Sequence, residues 1–461
     1  MDPAAINKKK VTVVGGARSG LAVAKLLAGA GATVFLTEKG EATQGLEATL
    51  EALGIRSEFG GHTRRALDAD FFAISPGVPS TVNIVQQAVR SGLNVYSEIE
   101  VASWFCPAPI VAVTGSNGKT TTTSLIGHIF RTAGRETVVA GNIGYPFADY
   151  VRDLTPEAVV VLEVSSFQLD HIDTFRPAVS VLLNITPDHL DRYDYDFNNY
   201  AQSKFRVFEN QREEDVLVYN YDDPLVRDYV AWVATRRDLR ALGFSLQEEL
   251  DEGAFLRREG ATDAPALLVL RINQQEEILM EAQKLALRGR HNVYNSLAAA
   301  VAARVLEVRS DVVRESLTSF EGVPHRLEFV REVDGVRYVN DSKATNVNAV
   351  WYALESFNEP LVLIAGGRDK GNDYSTLKPL TRRKVRTVIA LGESADKVMN
   401  ELGVLAKQSV QAQSMEEAIR YAHFFAVPGD VVLLSPACAS FDMYENYEER
   451  GDTFKRLVMS L

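Results

Sequence analysis

The residues best suited to chemistry form a glycine-rich turn that joins an apolar run to a hydroxyl-rich one. The turn follows the apolar residues 110–113 and reads Gly115, Ser116, Asn117, Gly118, Lys119, Thr120 and Thr121. Glycines allow backbone N–H groups to converge on an anion, and the start of a helix adds partial positive charge. Lys119 can then reach terminal phosphates, while the hydroxyl of Thr120 can hold Mg²⁺. The pattern predicts a site for a nucleoside triphosphate.

The spacing of this turn departs from the common G-x-x-x-x-G-K-[ST] pattern. Val113 stands where the first glycine is expected, so the turn reads T-G-x-x-G-K-T. A glycine-rich turn that binds no ligand is the alternative interpretation. The presence of both Lys119 and Thr120 favours the phosphate site.

A second glycine turn lies near the N-terminus. The apolar run 11–14 leads into Gly15 and reaches Gly20 through the pattern G-x-A-x-x-G. The ordinary interpretation of such a turn is a dinucleotide site, in which Glu38 would bind the ribose. The alternative is a tight turn between a strand and a helix that binds nothing.

The chain alternates between β-like apolar runs and helical segments, which indicates an α/β fold with parallel, doubly wound sheets. The length of 461 residues favours two to three domains. We predict a Rossmann-like domain over 1–98, a P-loop ATPase-like parallel sheet with helices over 99–322, and a Rossmann-like α/β domain over 323–461. The segment 245–281 is charged and is expected to be irregular. The predicted strands cover 11–14, 33–36, 71–74, 110–113, 158–164, 179–185, 337–339, 361–365, 387–391 and 431–434. The clearest predicted helices cover 21–28 and 295–305.

The composition limits the possible partners. A net charge of −12 disfavours a nucleic-acid surface, where a basic patch is expected. No apolar stretch reaches the ~18–20 residues of a membrane span, and the N-terminus lacks a secretory signal. The two cysteines, Cys106 and Cys438, fit a reducing compartment. We therefore expect a cytoplasmic protein that acts on small molecules and binds neither nucleic acid nor membrane.

Two groups of polar residues follow strand-like runs and suit a divalent cation. Glu163 closes the run 158–164, and carboxylate oxygens are ligands that Mg²⁺ prefers. His189 lies in the segment 184–191, which brings Asn, Asp and His together after the next run. The alternatives are a solvated glutamate at a strand end and a structural histidine. The phosphate turn nearby favours a metal role for both.

Longer motifs extend these local patterns to a resemblance that spans the chain. The segments that carry it are 114–122 (T-G-S-N-G-K-T-T-T), 141–144 (G-N-I-G), 162–169 (L-E-V-S-S-F-Q-L), 184–191 (N-I-T-P-D-H-L-D), 324–326 (P-H-R), 340–346 (N-D-S-K-A-T-N) and 435–442 (S-P-A-C-A-S-F-D). With these motifs the chain resembles the Mur ligases, ATP-dependent enzymes that build the peptide stem of bacterial peptidoglycan. Together with Thr37 they resemble, within this family, the members that add D-glutamate.

The resemblance implies a reaction and its cofactors. The chain would join D-glutamate to UDP-N-acetylmuramoyl-L-alanine through an acyl phosphate, using ATP and two Mg²⁺ ions. Lys204 matches the lysine that this family carbamylates with CO₂, and the carbamate would be an oxygen ligand for Mg²⁺. A surface lysine is the alternative interpretation of Lys204. A monomer is expected.

The resemblance also implies roles for individual residues. Catalysis would use Lys119, His189 and Lys204, and the metal ligands would be Thr120, Glu163, His189 and the carbamate of Lys204. ATP would contact the turn 115–121 and also Asn292, Arg326 and Asp341. The UDP precursor would contact Ala17, Arg18, Thr37, Gly77, Asn142, Ser165 and His189. D-Glutamate would contact Lys343, Thr345, Lys370, Ser440, Phe441 and Tyr447.

Rival functions differ in their chemistry. An NAD-dependent oxidoreductase would use the N-terminal turn but leave the phosphate turn without a purpose. A nucleotide-dependent switch would hydrolyse ATP without an acceptor amine. Another Mur ligase, or a folylpolyglutamate-type ligase, would use the same phosphate turn with a different amino-acid acceptor.

Overall fold

The computed structural model describes residues 1–258, 265–287, 289–369 and 371–461. The chain forms two compact units. The first comprises Met1–Leu285 and Tyr294–Ser319, and the second Ala286–Val293 and Phe320–Leu461. The α/β class expected from the sequence is confirmed, because the described residues form three largely parallel sheets with helices between their strands.

The helices of the described chain mostly connect successive strands. They are α1 Arg18–Gly29, α2 Leu46–Ala52, α3 Asn83–Arg90, α4 Glu98–Ser103, α5 Lys119–Thr132, α6 Ser166–Leu169, α7 Phe197–Phe205, α8 Pro224–Ala234, α9 Arg290–Val305, α10 Ser310–Ser319, α11 Val347–Glu355, α12 Lys378–Lys384, α13 Ala395–Glu401, α14 Met415–Phe425 and α15 Tyr447–Met459. The predicted helices 21–28 and 295–305 correspond to α1 and α9, which begin three and five residues earlier. In the part of the chain that the structure describes, none of these helices combines the length and apolar character needed to cross a bilayer.

The first sheet is parallel and lies within the first 97 residues. Its strands are β1 Lys10–Val14, β2 Thr33–Thr37, β3 Arg56–Glu58, β4 Phe71–Ile74 and β5 Asn94–Ser97. Their order, β3-β2-β1-β4-β5, reverses between β1 and β4. In open parallel sheets such a reversal leaves a crevice at the carboxyl ends of the strands, where ligands bind.

A buried carboxylate fixes α4, directly after the first sheet, to the next part of the chain. The two carboxylate oxygens of Glu100 accept hydrogen bonds from the backbone N–H groups of Asp173, Thr174 and Phe175. The N···O distances are 3.0, 3.0 and 2.7 Å. Because these contacts lie within the first unit, the first sheet and the central sheet are held together there.

The central sheet holds the predicted phosphate turn. Its strands are β6 Ile110–Thr114, β7 Thr137–Gly141, β8 Val159–Glu163, β9 Val179–Leu182, β10 Val216–Asn220, β11 Arg240–Ser245, β12 Gly253–Arg258, β13 Ala266–Ile272 and β14 Gln275–Glu281. The order is β14-β13-β12-β11-β10-β9-β6-β8-β7. Since β6 pairs in parallel with both β8 and β9, the residues after these three strands meet at one edge of the sheet.

The expectation of an irregular segment over 245–281 is wrong. This segment contains β12, β13 and β14, which pair as antiparallel neighbours beyond β11. Its charged residues are paired: Arg257 binds Glu249 and Glu276, while Arg271 also binds Glu276. Paired charges can line the solvent face of a sheet, so a charged sequence with buried Leu268 and Val269 is compatible with strands.

The third sheet lies in the second unit. Its strands are β15 Glu328–Val333, β16 Val336–Asn340, β17 Leu361–Ala365, β18 Val385–Leu391, β19 Gln408–Ala412 and β20 Val431–Leu434. The order is β15-β16-β20-β17-β18-β19, and all pairs except β15 with β16 are parallel. The loops after β16 and β20 are therefore neighbours.

Candidate active site

The predicted phosphate turn connects the end of β6 to the start of α5. Gly115 and Gly118 adopt φ values of 151° and 86°, which favour glycine. Gly118 is also closely packed, because a methyl group there would lie 2.5 Å from Asn295 Oδ1 and 3.2 Å from Leu183 Cδ1. The helix begins directly afterwards at Lys119, where the first N–H groups lack partners within the helix. The turn therefore has the geometry of an anion site.

Asn184, two residues after β9, braces this turn. Its Oδ1 accepts the Asn117 N–H at 2.9 Å, and its Nδ2 donates to the Asn117 carbonyl at 3.0 Å. Its own carbonyl accepts the Ser116 N–H at 2.9 Å. Three backbone groups of the turn thus bind one residue. Because two of them are N–H donors, an anion would depend mainly on the first turn of α5.

A serine hydroxyl completes this bracing. Ser116 Oγ donates to the Thr186 carbonyl at 2.8 Å and accepts the Thr186 N–H at 2.9 Å. The buried hydroxyl of Tyr200 lies 2.9 Å from the same oxygen. The sequence predicts a strand up to residue 185, but β9 ends at Leu182, and the residues released in this way bind the turn.

Two lysines converge on one carbonyl of the turn. Lys119 Nζ donates to the carbonyls of Gly115 and Ser116, at 2.8 and 2.9 Å. Lys204 Nζ donates to the same Gly115 carbonyl at 2.9 Å and lies 4.8 Å from the centre of the Tyr200 ring. Because Lys204 is only 2% exposed, the interpretation as a surface lysine is wrong.

The surroundings of Lys204 favour its neutral amine. Burial lowers the pKa of Lys204 well below its usual range, and the positive charge of Lys119 lowers it further. The negative charges of Asp188, Asp170 and Glu163 act in the opposite direction but do not outweigh these causes. A neutral amine is the form that reacts as a nucleophile, which is the property that carbamylation by CO₂ needs.

Glu163 ends β8 and lies beside the phosphate turn, since β8 pairs with β6. The side chain is 2% exposed, so the interpretation as a solvated strand-end glutamate is wrong. Asn142 Nδ2 donates to Oε1 at 2.8 Å, whereas Oε2 has no hydrogen-bond partner among the described residues. A buried carboxylate oxygen without a partner is costly unless a cation or donor meets it. Glu163 therefore fits a magnesium ligand.

His189 follows this region with a left-handed backbone, at φ 50°. Its ring packs edge-on against Phe167 with the ring centres 5.2 Å apart, and Nε2 lies 3.8 Å from Asp188 Oδ2. Within the described ranges, no three His, Cys, Asp or Glu side chains are grouped to hold a metal ion. Mg²⁺ usually keeps waters and phosphate oxygens as ligands, so a partial protein set such as Thr120 and Glu163 is compatible with a bound ion.

Four of the seven residues predicted to hold the UDP precursor share one edge of the first sheet. Ala17 and Arg18 follow β1, Thr37 ends β2, and Gly77 follows β4. These three strands are adjacent and parallel. Ala17, Arg18 and Gly77 are exposed, whereas Thr37 is buried and its hydroxyl donates to Glu58 Oε1 at 2.7 Å. The exposed members of the set are accessible to a ligand at this edge.

The Glu38 carboxylate forms hydrogen bonds with the backbone of the N-terminal glycine turn and of the residues after β2. Its carboxylate accepts the N–H of Gly16 at 2.7 Å and that of Gly40 at 2.9 Å. Burial raises the pKa of Glu38, but these backbone hydrogen bonds outweigh it, and the pKa is lowered overall. A carboxylate bound to its own turn is poorly placed for a ribose, which disfavours the dinucleotide interpretation.

Contacts within the first unit join this edge to the central sheet. Arg192 Nη2 donates to the Pro76 carbonyl at 3.1 Å, and its guanidinium lies 4.2 Å from the centre of the Phe167 ring. Ser80 Oγ lies 2.8 Å from His171 Nε2. The loop that carries Gly77 is therefore held beside the segment that follows His189.

Ser165, another predicted precursor residue, begins α6 with a capping box. Gln168 Oε1 accepts both the N–H and the Oγ–H of Ser165, at 2.8 and 2.9 Å. Gln168 Nε2 donates in turn to Glu98 Oε1 at 2.6 Å. Burial raises the pKa of Glu98 to about 7, although the hydrogen bond from Gln168 acts to lower it.

The other residues predicted to contact ATP lie in the second unit. Asp341 follows β16, and its Oδ2 accepts a hydrogen bond from Ser435 Oγ at 2.8 Å. Burial raises the pKa of Asp341 to about 6, against the positive charge of Arg326. Burial also lowers the pKa of His291 to about 4, and Arg326 adds to this effect. Asn292, beside His291, is buried.

The five described residues predicted for D-glutamate lie on the loops after β16 and β20 and at the start of α15. Lys343 Nζ lies 5.0 Å from the centre of the Tyr447 ring. Thr345 follows on the same loop; the loop after β20 carries Ser440, which is buried, and Phe441, which is exposed. Lys370 lies outside the described residues.

Arg450 joins these two loops and was not predicted. Its guanidinium donates to Ser342 Oγ at 3.0 Å, to the Ser342 carbonyl at 2.8 Å and to the Cys438 carbonyl at 3.2 Å. Asn184 was likewise not predicted as a site residue. Both residues bind backbone groups of distant segments, and a local sequence pattern does not reveal such contacts. The position of Asn184 in the polar segment 184–191 was the one sequence feature that pointed to either residue.

Two domain families match the chain. Residues 113–303 match the Mur ligase middle domain, and residues 325–438 match the Mur ligase glutamate ligase domain. The first match contains the phosphate turn, Glu163, His189 and Lys204. The second contains Arg326, Asp341, Lys343 and Thr345.

Full-length relatives extend this likeness. A UDP-N-acetylmuramoylalanine--D-glutamate ligase from Salinibacter ruber is 62% identical, with 100% of both chains covered. A protein of the same name from Chloroherpeton thalassium is 48% identical over 99% of both chains. Among solved structures, UDP-N-acetylmuramate-alanine ligase MurC from Thermotoga maritima covers 98% of the chain, and 99% of its own, at 20% identity with a TM-score of 0.61. That likeness supports the fold.

We predict that Asn184→Ala weakens ATP binding. Losing two hydrogen bonds to Asn117 is expected to raise the KM for ATP about 10–30-fold, because each such bond is worth about 1 kcal/mol. The matched control is Asn210→Ala, whose amide binds the carbonyls of Asp173 and Phe175 instead. Steady-state kinetics with ATP as the varied substrate test this. Equal KM values in Asn184→Ala and the control would contradict the bracing role.

Proposed function

This chain belongs to the Mur ligases and, among them, to the UDP-N-acetylmuramoylalanine--D-glutamate ligases, and we propose a mechanism and site residues on that premise. It is an ATP-dependent enzyme that forms an amide bond for peptidoglycan precursor synthesis. The proposed reaction joins D-glutamate to UDP-N-acetylmuramoyl-L-alanine with release of ADP and phosphate. The observation that carries the proposed site is the pair Lys204 and Glu163 buried beside a braced phosphate turn.

The first step makes the precursor's carboxylate reactive. A carboxylate resists attack by an amine because resonance and its negative charge both oppose it. In our proposal the carboxylate attacks the γ-phosphorus of ATP, and the bond to the β-phosphate oxygen breaks, which releases ADP and leaves an acyl phosphate. Lys119 and the first N–H groups of α5 would offset the charge of the transferring phosphate.

The second step forms the amide. The amine of D-glutamate adds to the acyl carbon, the tetrahedral intermediate expels phosphate, and the proton lost by the amine is taken up by the expelled phosphate. D-Glutamate carries two carboxylates, so its pocket needs cations and hydroxyl donors. We assign these roles to Lys343, Lys370, Thr345 and Ser440, with Phe441 and Tyr447 as the apolar part of the pocket.

Mur ligases in general require Mg²⁺, and we propose two sites in this chain. Thr120 and Glu163 would hold the first ion, and His189 with a carbamate on Lys204 would hold the second. When bound, Mg²⁺ neutralises phosphate oxygens and fixes their geometry. The orphaned Oε2 of Glu163 supports the first site, and the neutral amine favoured at Lys204 supports modification by CO₂.

We assign the remaining contacts by position in the fold. The turn 115–121, together with Asn292, Arg326 and Asp341, would bind ATP. The precursor would bind at the edge of the first sheet and its neighbours, through Ala17, Arg18, Thr37, Gly77, Asn142, Ser165 and His189. The corresponding domains would be 1–98, 99–322 and 323–461. We further propose a cytoplasmic monomer, in keeping with free thiols at Cys106 and Cys438.

A panel of acceptors tests the proposed reaction. Purified enzyme is supplied with ATP, Mg²⁺ and UDP-N-acetylmuramoyl-L-alanine, and phosphate release is measured with D-glutamate, L-glutamate or L-lysine. A folate with L-glutamate replaces the precursor in a further reaction. We expect release only with the precursor and D-glutamate together. Release with another acceptor, or without any amine, would contradict the assignment.

Lys119→Ala tests the phosphate turn. Losing this charge is expected to lower turnover about 10²–10³-fold, because one preorganised electrostatic contact is worth about 2.7–4 kcal/mol of barrier. The circular dichroism spectrum should remain that of the wild type. Lys25→Ala, an exposed lysine of α1, serves as the control. Near-wild-type turnover in Lys119→Ala would show that the turn has another role.

Lys204→Ala tests the carbamate. The variant is expected to be nearly inactive and to regain part of its turnover with added acetate or formate, because a small carboxylate can replace the missing oxygen ligand. Lys119→Ala should gain nothing under the same conditions. A Lys204→Ala variant that stays inactive at every carboxylate concentration would indicate a merely structural lysine.

A further inference from the structure

A buried chain of hydrogen bonds links the first sheet to the start of α6. It runs from Glu98, the first residue of α4, through Gln168 to Ser165. Glu98 is 3% exposed, and Gln168 is fully buried. None of these bonds takes part in the proposed reaction steps, so they need a separate explanation.

The chemistry of its two ends fixes the orientation of the Gln168 amide. At one end the backbone N–H of Ser165 can only donate, so it must face Oε1. At the other end the carboxyl of Glu98 accepts from Nε2. Both ends are consistent with one orientation, and the Ser165 end requires it, because the opposite assignment of the amide would place donor against donor there.

This orientation determines which way the Ser165 hydroxyl can act. A hydroxyl has one proton, and Ser165 donates it to Gln168 Oε1 at 2.9 Å. The Gln168 N–H donates back to Ser165 Oγ at 3.4 Å. The hydroxyl keeps a lone pair but has no second proton. In this arrangement the hydroxyl presents its lone pair to a ligand, so it would accept a hydrogen bond from it.

We propose that Glu98 is a positioning residue for the precursor site and that Ser165 accepts a hydrogen bond from an N–H or O–H group of the precursor. The inference rests on the proposed function, which places Ser165 at that site. It names the part of the precursor that Ser165 meets: an amide N–H or a sugar hydroxyl, and neither a phosphate oxygen nor the reacting carboxylate. An ionised phosphate oxygen or carboxylate has no proton to donate.

Glu98 helps to set which groups donate and which accept along this series of hydrogen bonds. One of its oxygens accepts from Gln168, while Oε2 is buried without a hydrogen-bond partner among the described residues. Without an acceptor at residue 98, the amide of Gln168 would lose one of its two constraints. The Ser165 N–H would then be the remaining constraint, and the amide that holds the Ser165 hydroxyl would be less firmly positioned.

Exchanging the side chains of Glu98 and Gln168 tests the direction of these hydrogen bonds. Gln168→Glu alone places two carboxyl groups 2.6 Å apart in a buried site and is expected to raise the KM for UDP-N-acetylmuramoyl-L-alanine about tenfold or more. Adding Glu98→Gln restores a donor opposite an acceptor and leaves Ser165 donating to residue 168. The double variant should regain most of the lost affinity, with the KM values for ATP and D-glutamate unchanged throughout.

Further variants keep the test decisive if Gln168→Glu does not fold. Ser165→Ala should raise the KM for the precursor alone, and Ser103→Ala, whose hydroxyl only binds a carbonyl within α4, is the control. A double variant that binds the precursor no better than Gln168→Glu, or a Ser165→Ala variant that matches the control, would overturn the inference. An inactive wild-type enzyme would instead refute the proposed function, so the two failures are distinguishable.

Discussion

The bracing of the phosphate turn by the residues after β9 is the contact on which the rest of the site depends. A turn with two glycines at positive φ has little stiffness of its own. Here three of its backbone groups bind Asn184, and the hydroxyl of Ser116 binds Thr186. A turn held in this way offers α5 as a preorganised anion site, so binding a phosphate costs little ordering.

Charged side chains are concentrated beside this braced turn. Lys119 and Lys204 both donate to the carbonyl of Gly115, so two amines share one acceptor. Nearby, one oxygen of the buried Glu163 has no partner among the described residues. Unpaired polar groups in a low-dielectric site are costly. A divalent cation would satisfy this Glu163 oxygen, and phosphate oxygens would be further acceptors for the two amines.

The proposed ligand-binding residues are divided between the two units. In the first unit, Glu100 fixes the first sheet against the central sheet, so the crevice of one and the phosphate turn of the other have a set relation. In the second unit, Arg450 joins the loops after β16 and β20, which carry the cations and hydroxyls proposed for D-glutamate. In our proposal each sheet supplies ligand groups from the carboxyl ends of adjacent parallel strands.

The sequence by itself determined the α/β class and the strands β4, β17 and β20. A short, continuous apolar run between polar residues has few alternatives to a buried strand. It also singled out the phosphate turn and Glu163 through local motifs, and Lys204 through the resemblance to a family. It did not predict β12 to β14, whose charges pair across strands, nor the early end of β9. Only the tertiary structure decided the parts played by Asn184, Arg450 and Glu98. Each acts through hydrogen bonds to residues distant in the chain, and a local pattern contains no record of such partners.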